Sequence, residues 1–284
     1  MLFHLVFSIV CYTVCVMNTH KDLPDIPKAV GSAVKFTGTV ISSLVEPKKR
    51  DIYPTFDALF TETHMPMRYR LLVLSAMKQM EQSKDQFHTH THPGRMAHDL
   101  LKFTHTDANL LYMLDMQALV IAIALHDLSR ALQPPTLYGA IYGLVTEKKY
   151  AASVAKTFML SHGMNEKKDS ALMKKVLTAI DEHTLANTFD RKSLESQWLY
   201  GLDCLDVLSR GRLEELDVYA KMLAEYWLFR PAMMWYKNWF IGVAKEFKYY
   251  GSLIEKEAKK RTPQAIEHLR KLQKRMRIPG KLKF

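Results

Sequence analysis

Residues 116–132 read MQALVIAIALHDLSRAL. The first ten positions hold one polar residue, Gln117, before His126 and Asp127 close the run. A segment apolar around its whole circumference belongs to a buried central helix, because no face of it suits water. Asp115 is well placed as its N-cap, and Pro134-Pro135 stops it. Around this segment the remaining pattern is helical as well. Leu71, Leu72, Leu74, Met77 and Met80 recur at helical spacing over 67–80. A helix opens near Pro93, which suits a first turn. Further helices are expected over 147–162, 168–184, 193–209, 212–229, 232–259 and 263–276, with Pro231 and Pro263 as punctuation. There is no internal repeat, no glycine-rich phosphate loop and no βαβ alternation. The expected fold class is all-α, a helical bundle with a C-terminal helical extension.

Composition narrows the function classes. With 48% hydrophobic and 24% charged residues, the 284-residue chain is globular rather than disordered, and it is long enough to bury a core without staples. Eleven glycines and eleven prolines exclude collagen-like and turn-rich β architectures. Three cysteines, Cys11, Cys15 and Cys204, make no disulfide framework and no CxxC knuckle, which suits a reducing, cytoplasmic setting. The net charge of +11 is concentrated at one end. Lys245 to Phe284 holds thirteen Lys or Arg against four Glu, so the rest of the chain is near neutral.

Domain organisation is expected in three parts: an apolar segment and loose lead-in over 1–64, a core domain over 65–215, and a helical extension with a basic tail over 216–284. Residues 1–17 are almost wholly apolar. A membrane anchor, a buried helix and translation from Met17 all fit them.

Chemistry is concentrated at His126-Asp127. An ionisable pair closing an apolar helix costs free energy to bury unless it is paired or bound to metal. A core histidine satisfied by a backbone carbonyl is the plainer alternative. The pair has company, however: His92 upstream and Asp203 downstream. Two imidazoles and two carboxylates form a mixed N/O donor set suited to Mn, Fe, Zn, Ni or Mg, and a divalent ion in such a set lowers the pKa of bound water.

The order His…His-Asp…Asp resembles the HD-domain superfamily of metal-dependent phosphohydrolases, an all-helical family. His92-Pro93-Gly94-Arg95-Met96 is similar to its opening H-x-x-R-V. Ala124-Leu125-His126-Asp127-Leu128-Ser129-Arg130 is similar to A-L-L-H-D-I-G-[KR]. Residues 176–183, VLTAIDEH, resemble a helix with I-x-x-H, and Leu202-Asp203-Cys204-Leu205-Asp206 resembles A-D-x-L-D. The resemblance covers roughly residues 85–210. It implies a divalent metal cofactor held by His92, His126, Asp127 and Asp203, with Asp127 as the carboxylate of the catalytic centre. It makes Arg95 and Arg130 candidates for phosphate oxygens, which a guanidinium matches bidentately; surface pairing is the alternative for both.

The departures are informative. Lys148 and Lys149 stand where binuclear members carry a further histidine, which argues against a full two-metal site. His183 is expected as a catalytic, substrate-contacting or supporting group, or else as an exposed helix-end histidine. The segment Phe87-His88-Thr89-His90-Thr91-His92 also resembles the Y-H-N-x-x-H of cyclic-nucleotide phosphodiesterases, which would make His88 a general acid; a solvated loop histidine is the alternative. His98-Asp99 is read as a helix-surface pair.

The implied function is metal-dependent hydrolysis of a phosphate ester, a nucleotide or related small metabolite. The alternative is a catalytically quiet helical domain that binds nucleic acid, an anionic membrane or a protein. For that role the chain offers the aromatics of residues 227–240 and the basic tail, whose Ile266, Leu269 and Leu272 are expected to dock while the charges face outward. Catalysis is expected to survive truncation after Gly251, because every candidate ligand precedes Arg210.

Overall fold

The computed structural model describes residues 51–83, 88–132, 150–183, 191–224 and 250–275. The apolar segment 1–17, Lys148 and Lys149, and the aromatics of 227–240 lie outside the described residues. Among those described there are only helices and turns, so the fold is all-α. No described helix is long and apolar enough to cross a membrane.

In chain order the helices are α1 (Tyr53–Glu62), α2 (Met67–Met80), α3 (Thr91–Thr106), α4 (Leu110–Met113), α5 (Met116–Leu125), α6 (Leu128–Ala131), α7 (150–161), α8 (Ser170–Glu182), α9 (Leu194–Val207), α10 (Arg210–Ala224) and α11 (Ser252–Arg275). The apolar run is the central one. Every α5 residue except Gln117 is buried, and α5 packs against α2, α3, α8 and α9. Asp115 caps it as expected, its carboxylate accepting the Ala118 N–H at 3.0 Å. Ser193 caps α9 in the same way, accepting from Ser196 N–H at 3.1 Å. Such caps satisfy amide donors that a helix start leaves without partners.

The sequence pattern predicts one helix through Leu132, but the run breaks at His126-Asp127 and resumes as α6. The break changes where side chains can point, because successive residues of an unbroken helix lie about 100° apart around its axis.

Both ends of the described residues are more integral than the sequence pattern indicates. Residues 1–64 were expected to be a loose lead-in, yet α1 begins at Tyr53 and buries Phe56, Leu59 and Phe60 against α3. At the other end, 232–259 and 263–276 were expected to be separate helices divided at Pro263. Instead α11 runs through Pro263 without interruption. A proline ring removes one helical hydrogen bond and crowds the carbonyl four residues back. Here that carbonyl belongs to Lys259, and both Lys259 and Pro263 are exposed residues, so the ring sits on the side of α11 away from its core contacts. The α11 residues Ile254, Ala258, Ala265, Leu269 and Leu272 join the same hydrophobic core as α5, so α11 is part of the domain rather than an extension of it. As the spacing predicts, Leu269 and Leu272 are inside and Lys256, Lys259, Lys260, Arg270, Lys271 and Lys274 are outside.

Two glycines set close approaches. A Cβ on Gly94 of α3 would run into Ile52, with the Ile52 Cβ only 2.8 Å away. A Cβ on Gly201 of α9 would come 2.7 Å from Ile254 Cδ1 of α11.

Candidate metal centre

Three segments converge at one end of α5. His92 is the second residue of α3, His126-Asp127 form the break between α5 and α6, and Asp203 lies in α9. One ligand atom each from His92, His126 and Asp127 lie within 4.8 Å of one another. His92 Nε2 is 3.1 Å from His126 Nε2 and 3.3 Å from Asp127 Oδ2, and it stands 3.3 Å from Asp203 Oδ1. His126 Nε2 is also 3.3 Å from Asp127 Oδ2. The break in the apolar run is what lets neighbouring residues 126 and 127 aim at the same point.

The far side of each ring fixes its tautomer. His126 sits at the C-cap of α5 and donates Nδ1–H to the Ile123 carbonyl at 2.9 Å. His183 repeats this at the C-cap of α8, donating to Ile180 at 2.5 Å. The last carbonyls of a helix have no amide partners, so an imidazole folded back onto them is well placed. His92 donates Nδ1–H to Asp206 Oδ2 at 2.6 Å. The plainer expectation for His126, a core histidine satisfied by a carbonyl, thus holds for one nitrogen. The other nitrogen, Nε2, faces the cluster.

Two imidazole lone pairs facing each other at 3.1 Å repel unless a proton or a cation lies between them. The donor set of two nitrogens and two carboxylates fits a divalent cation. The electrostatics agree. Burial and the Arg212 guanidinium push the His92 pKa down, yet Asp206, Asp127 and Asp203 outweigh them and raise it to about 10, so that without a cation a proton on Nε2 meets the carboxylates' demand for positive charge. Burial alone would push the Asp127 carboxyl up, but His126, His88 and His92 hold it well below the usual carboxylate range. Asp203 is likewise lowered against its burial, by His92 and His126. These groups are mutually dependent on opposite charge in a place that water barely reaches.

The other expected site residues are distributed unevenly. His88 stands just before α3 with its Nε2 3.7 Å from Asp127 Oδ2, and it is the most exposed member, its side chain 25% accessible. His183 is a helix-end histidine but a buried one, its ring edge-on to His126 with centroids 5.1 Å apart. Burial and then the neighbouring His126 lower its pKa. Arg130 is buried in α6, three residues beyond Asp127.

Arg95 requires correction. It was expected to bind phosphate oxygens, but its guanidinium is already engaged by protein carboxylates. Nε and Nη2 donate to Asp206 at 2.5 and 3.0 Å, and Nη1 and Nη2 to Glu215 at 2.7 and 3.2 Å. Asp206 also takes Arg212 Nε at 3.2 Å and the Ser209 hydroxyl at 3.0 Å. The sequence pattern gives Arg212 and Glu215 no signal, and it places Asp206 in a motif without a role. Asp206 was nonetheless signalled, since it lies three residues after Asp203 and therefore on the same face of α9. It performs the supporting role that metal-bound histidines generally require, a carboxylate on the second ring nitrogen.

His98-Asp99 also departs from expectation. His98 is exposed, but Asp99 is buried and carries an ion pair with Arg261 of α11.

Comparison with protein-family models, with curated proteins and with solved structures found no match. The chemistry of the centre is therefore read from its own residues: a buried His-His-Asp group within metal-binding distance in a helical fold.

Proposed function

We propose that the centre binds a divalent cation (Mn, Fe, Ni, Zn or Mg) through His92, His126, Asp127 and Asp203, and that the protein hydrolyses a phosphate ester, a nucleotide or a related small metabolite. The observation that carries this reading is the pair of tautomer-locked imidazoles. With both Nδ1 protons committed elsewhere, the two Nε2 atoms meet at 3.1 Å with Asp127 Oδ2 at 3.3 Å from each, a place that demands a proton or a cation. The motif order that resembles HD-domain phosphohydrolases supports the choice of reaction. A divalent cation in such a site polarises phosphoryl oxygens and makes water a competent nucleophile near neutral pH.

The chain's own residues then have separable tasks. Asp206 keeps His92 oriented, with Nε2 turned into the cluster. The Ile123 carbonyl does the same for His126. Asp127 and Asp203 supply negative charge to balance the cation. His88, at the accessible edge beside Asp127, is the group placed to give a proton to a leaving oxygen. Arg130, in the turn after Asp127, remains the candidate for holding phosphate.

The test is metal analysis of the purified full-length protein, followed by a screen of phosphate esters with Mn, Ni, Mg and Zn. Bound metal and turnover that both disappear in Asp127→Asn are expected. Absence of metal binding in the parent protein refutes the reading, and metal binding without turnover leaves the binding-protein alternative in its place.

A further inference from the structure

One side chain outside the metal centre ties together two of the helices that build it. His92 and Asp99 are seven residues apart on α3, two turns along nearly the same face. Asp203 and Leu205 lie two residues apart near the end of α9. Arg261 of α11 reaches both helices. Its Nη1 donates to Asp99 Oδ2 at 2.7 Å and to the Leu205 carbonyl at 3.2 Å, and its Nη2 donates to Asp99 Oδ1 at 2.5 Å. Its Nε donates to Glu257, one turn back on α11, at 2.9 Å. Lys102 of α3 holds the same Glu257 at 2.8 Å.

The location makes these contacts strong and directional. The Arg261 side chain is only 17% exposed and that of Asp99 6%, so water screens the pair weakly. Leu205 lies in the last turn of α9; its carbonyl accepts the Leu208 amide at 3.1 Å and has a second lone pair for Arg261, at a helix end where a cation is favoured by the dipole. A planar guanidinium can grip a carboxylate with two nitrogens and still reach a carbonyl; a lysine ammonium offers a single point. Ile254, also on α11, presses on Gly201 two residues before Asp203.

We infer that Arg261 is a positioning residue for the metal centre, fixing the spacing of α3 and α9 and hence of His92 from Asp203, which stand 3.3 Å apart. The inference rests on the reading that the His-His-Asp group binds a divalent cation. Metal ligands tolerate misplacement of only about 0.2 Å. A clamp that holds two ligand-bearing helices therefore acts on affinity without touching the ion.

The experiment titrates full-length protein with Co2+ alone, reading affinity by calorimetry and coordination by visible absorption, with melting curves confirming that each variant is folded at the assay temperature. Arg261→Lys and Asp99→Asn are expected to bind Co2+ about tenfold more weakly and with altered visible bands, Arg261→Lys being the milder. Arg261→Ala is expected to be worse still; if it does not fold, the two conservative variants decide. His268→Ala breaks the α11 bond to Asp217 of α10 and removes no hydrogen bond to either ligand helix. It is expected to melt lower yet bind Co2+ like the parent. Unchanged affinity and spectra in folded Arg261→Lys and Asp99→Asn overturn the inference, as does an equal loss in His268→Ala. A parent protein that binds no Co2+ brings down the metal reading itself, and the inference with it.

Discussion

Replacing Asp206 by asparagine changes one atom in the most charged part of the interior. The Asp206 carboxylate is fully buried, and each neighbour that binds it does so as a donor: His92 Nδ1–H, Arg95 Nε–H and Nη2–H, Arg212 Nε–H and the Ser209 hydroxyl. An asparagine amide must turn its NH2 toward one set or the other. Facing Oδ2's partners, it opposes His92, Arg95 and Arg212; facing Oδ1's, it opposes Arg95 and Ser209. The charge balance fails too. Two guanidinium groups are matched by Asp206 and Glu215, and the substitution leaves one of them without a counter-charge. Removing one partner of a buried ion pair costs about 3–5 kcal/mol. For a domain of this size that corresponds to a melting temperature lower by about 6–20 °C. Scanning calorimetry of the full-length protein reads the shift, and Co2+ titration of the same sample reads the loss of His92 orientation. A variant melting within about 2 °C of the parent, with unchanged Co2+ affinity, would refute this account of the cluster.

Other expectations come from neighbouring contacts. Asp127→Ala should abolish Co2+ binding while retaining the parent's far-ultraviolet circular dichroism; surviving metal content would show that the ligand set is wrong. Asp169 accepts the Asn165 amide, the Tyr69 hydroxyl and the Arg68 guanidinium, and the Asn165 bond first among these holds its pKa below the unfolded value against burial. Because the folded pKa is the lower one, that stabilisation is complete above the unfolded pKa of about 3.9 and fades as pH falls through the folded value. The stability deficit of Asp169→Asn in urea melts should accordingly be largest near neutral pH and shrink in acid; a deficit that grows on acidification contradicts the sign. Truncation after Gly251 removes the buried side chains of Ile254, Leu269 and Leu272, worth about 5–9 kcal/mol together. Since that rivals the whole stability of a domain, the shortened chain should fail to fold cooperatively, which reverses the expectation drawn from ligand positions alone. Cooperative melting and intact metal binding in the truncated chain would restore it.

What the sequence made legible was local. Asp115 followed by nine apolar residues in ten encodes a capped, buried α5 with no help from elsewhere. Four ligand candidates could be named because His126-Asp127 is chemically out of place at the end of an apolar run, and because the motif order supplied His92 and Asp203. Contacts between distant residues left little trace. Arg95 looks like a free guanidinium beside a histidine until Glu215, 120 positions later, folds against it. Asp99 looks like a helix-surface acid until Arg261, 162 positions away, covers it. The helix break at 126–127 was also hidden, since propensity favours continuation through LSRAL and tertiary packing decides otherwise. Pro263 misled in the opposite direction: the core contacts of Ile254 and Ala258 before it and of Ala265, Leu269 and Leu272 after it hold α11 continuous despite the proline's local cost.

The two isoleucine–glycine contacts carry a consequence for how the protein tolerates genetic variation. Gly94 follows His92 by two residues and Gly201 precedes Asp203 by two, and each is occupied from behind by an isoleucine supplied by a distant stretch of chain, Ile52 or Ile254. A saturation scan for metal binding should therefore score these glycines as unforgiving, although neither contributes a donor atom. Gly94 should be the stricter, because the Ile52 Cβ sits too near its own main chain to swing aside, whereas the Ile254 Cδ1 at Gly201 is a flexible tip. Compensation should come in pairs: Gly201→Ala made viable by Ile254→Val, and Gly94→Ala only by Ile52→Gly, since any other residue at 52 keeps the Cβ that stands 2.8 Å away. The permitted alphabet beside each ligand is thus written partly by residues at the two ends of the described chain, so those ends are free to vary only in step with the helices they touch.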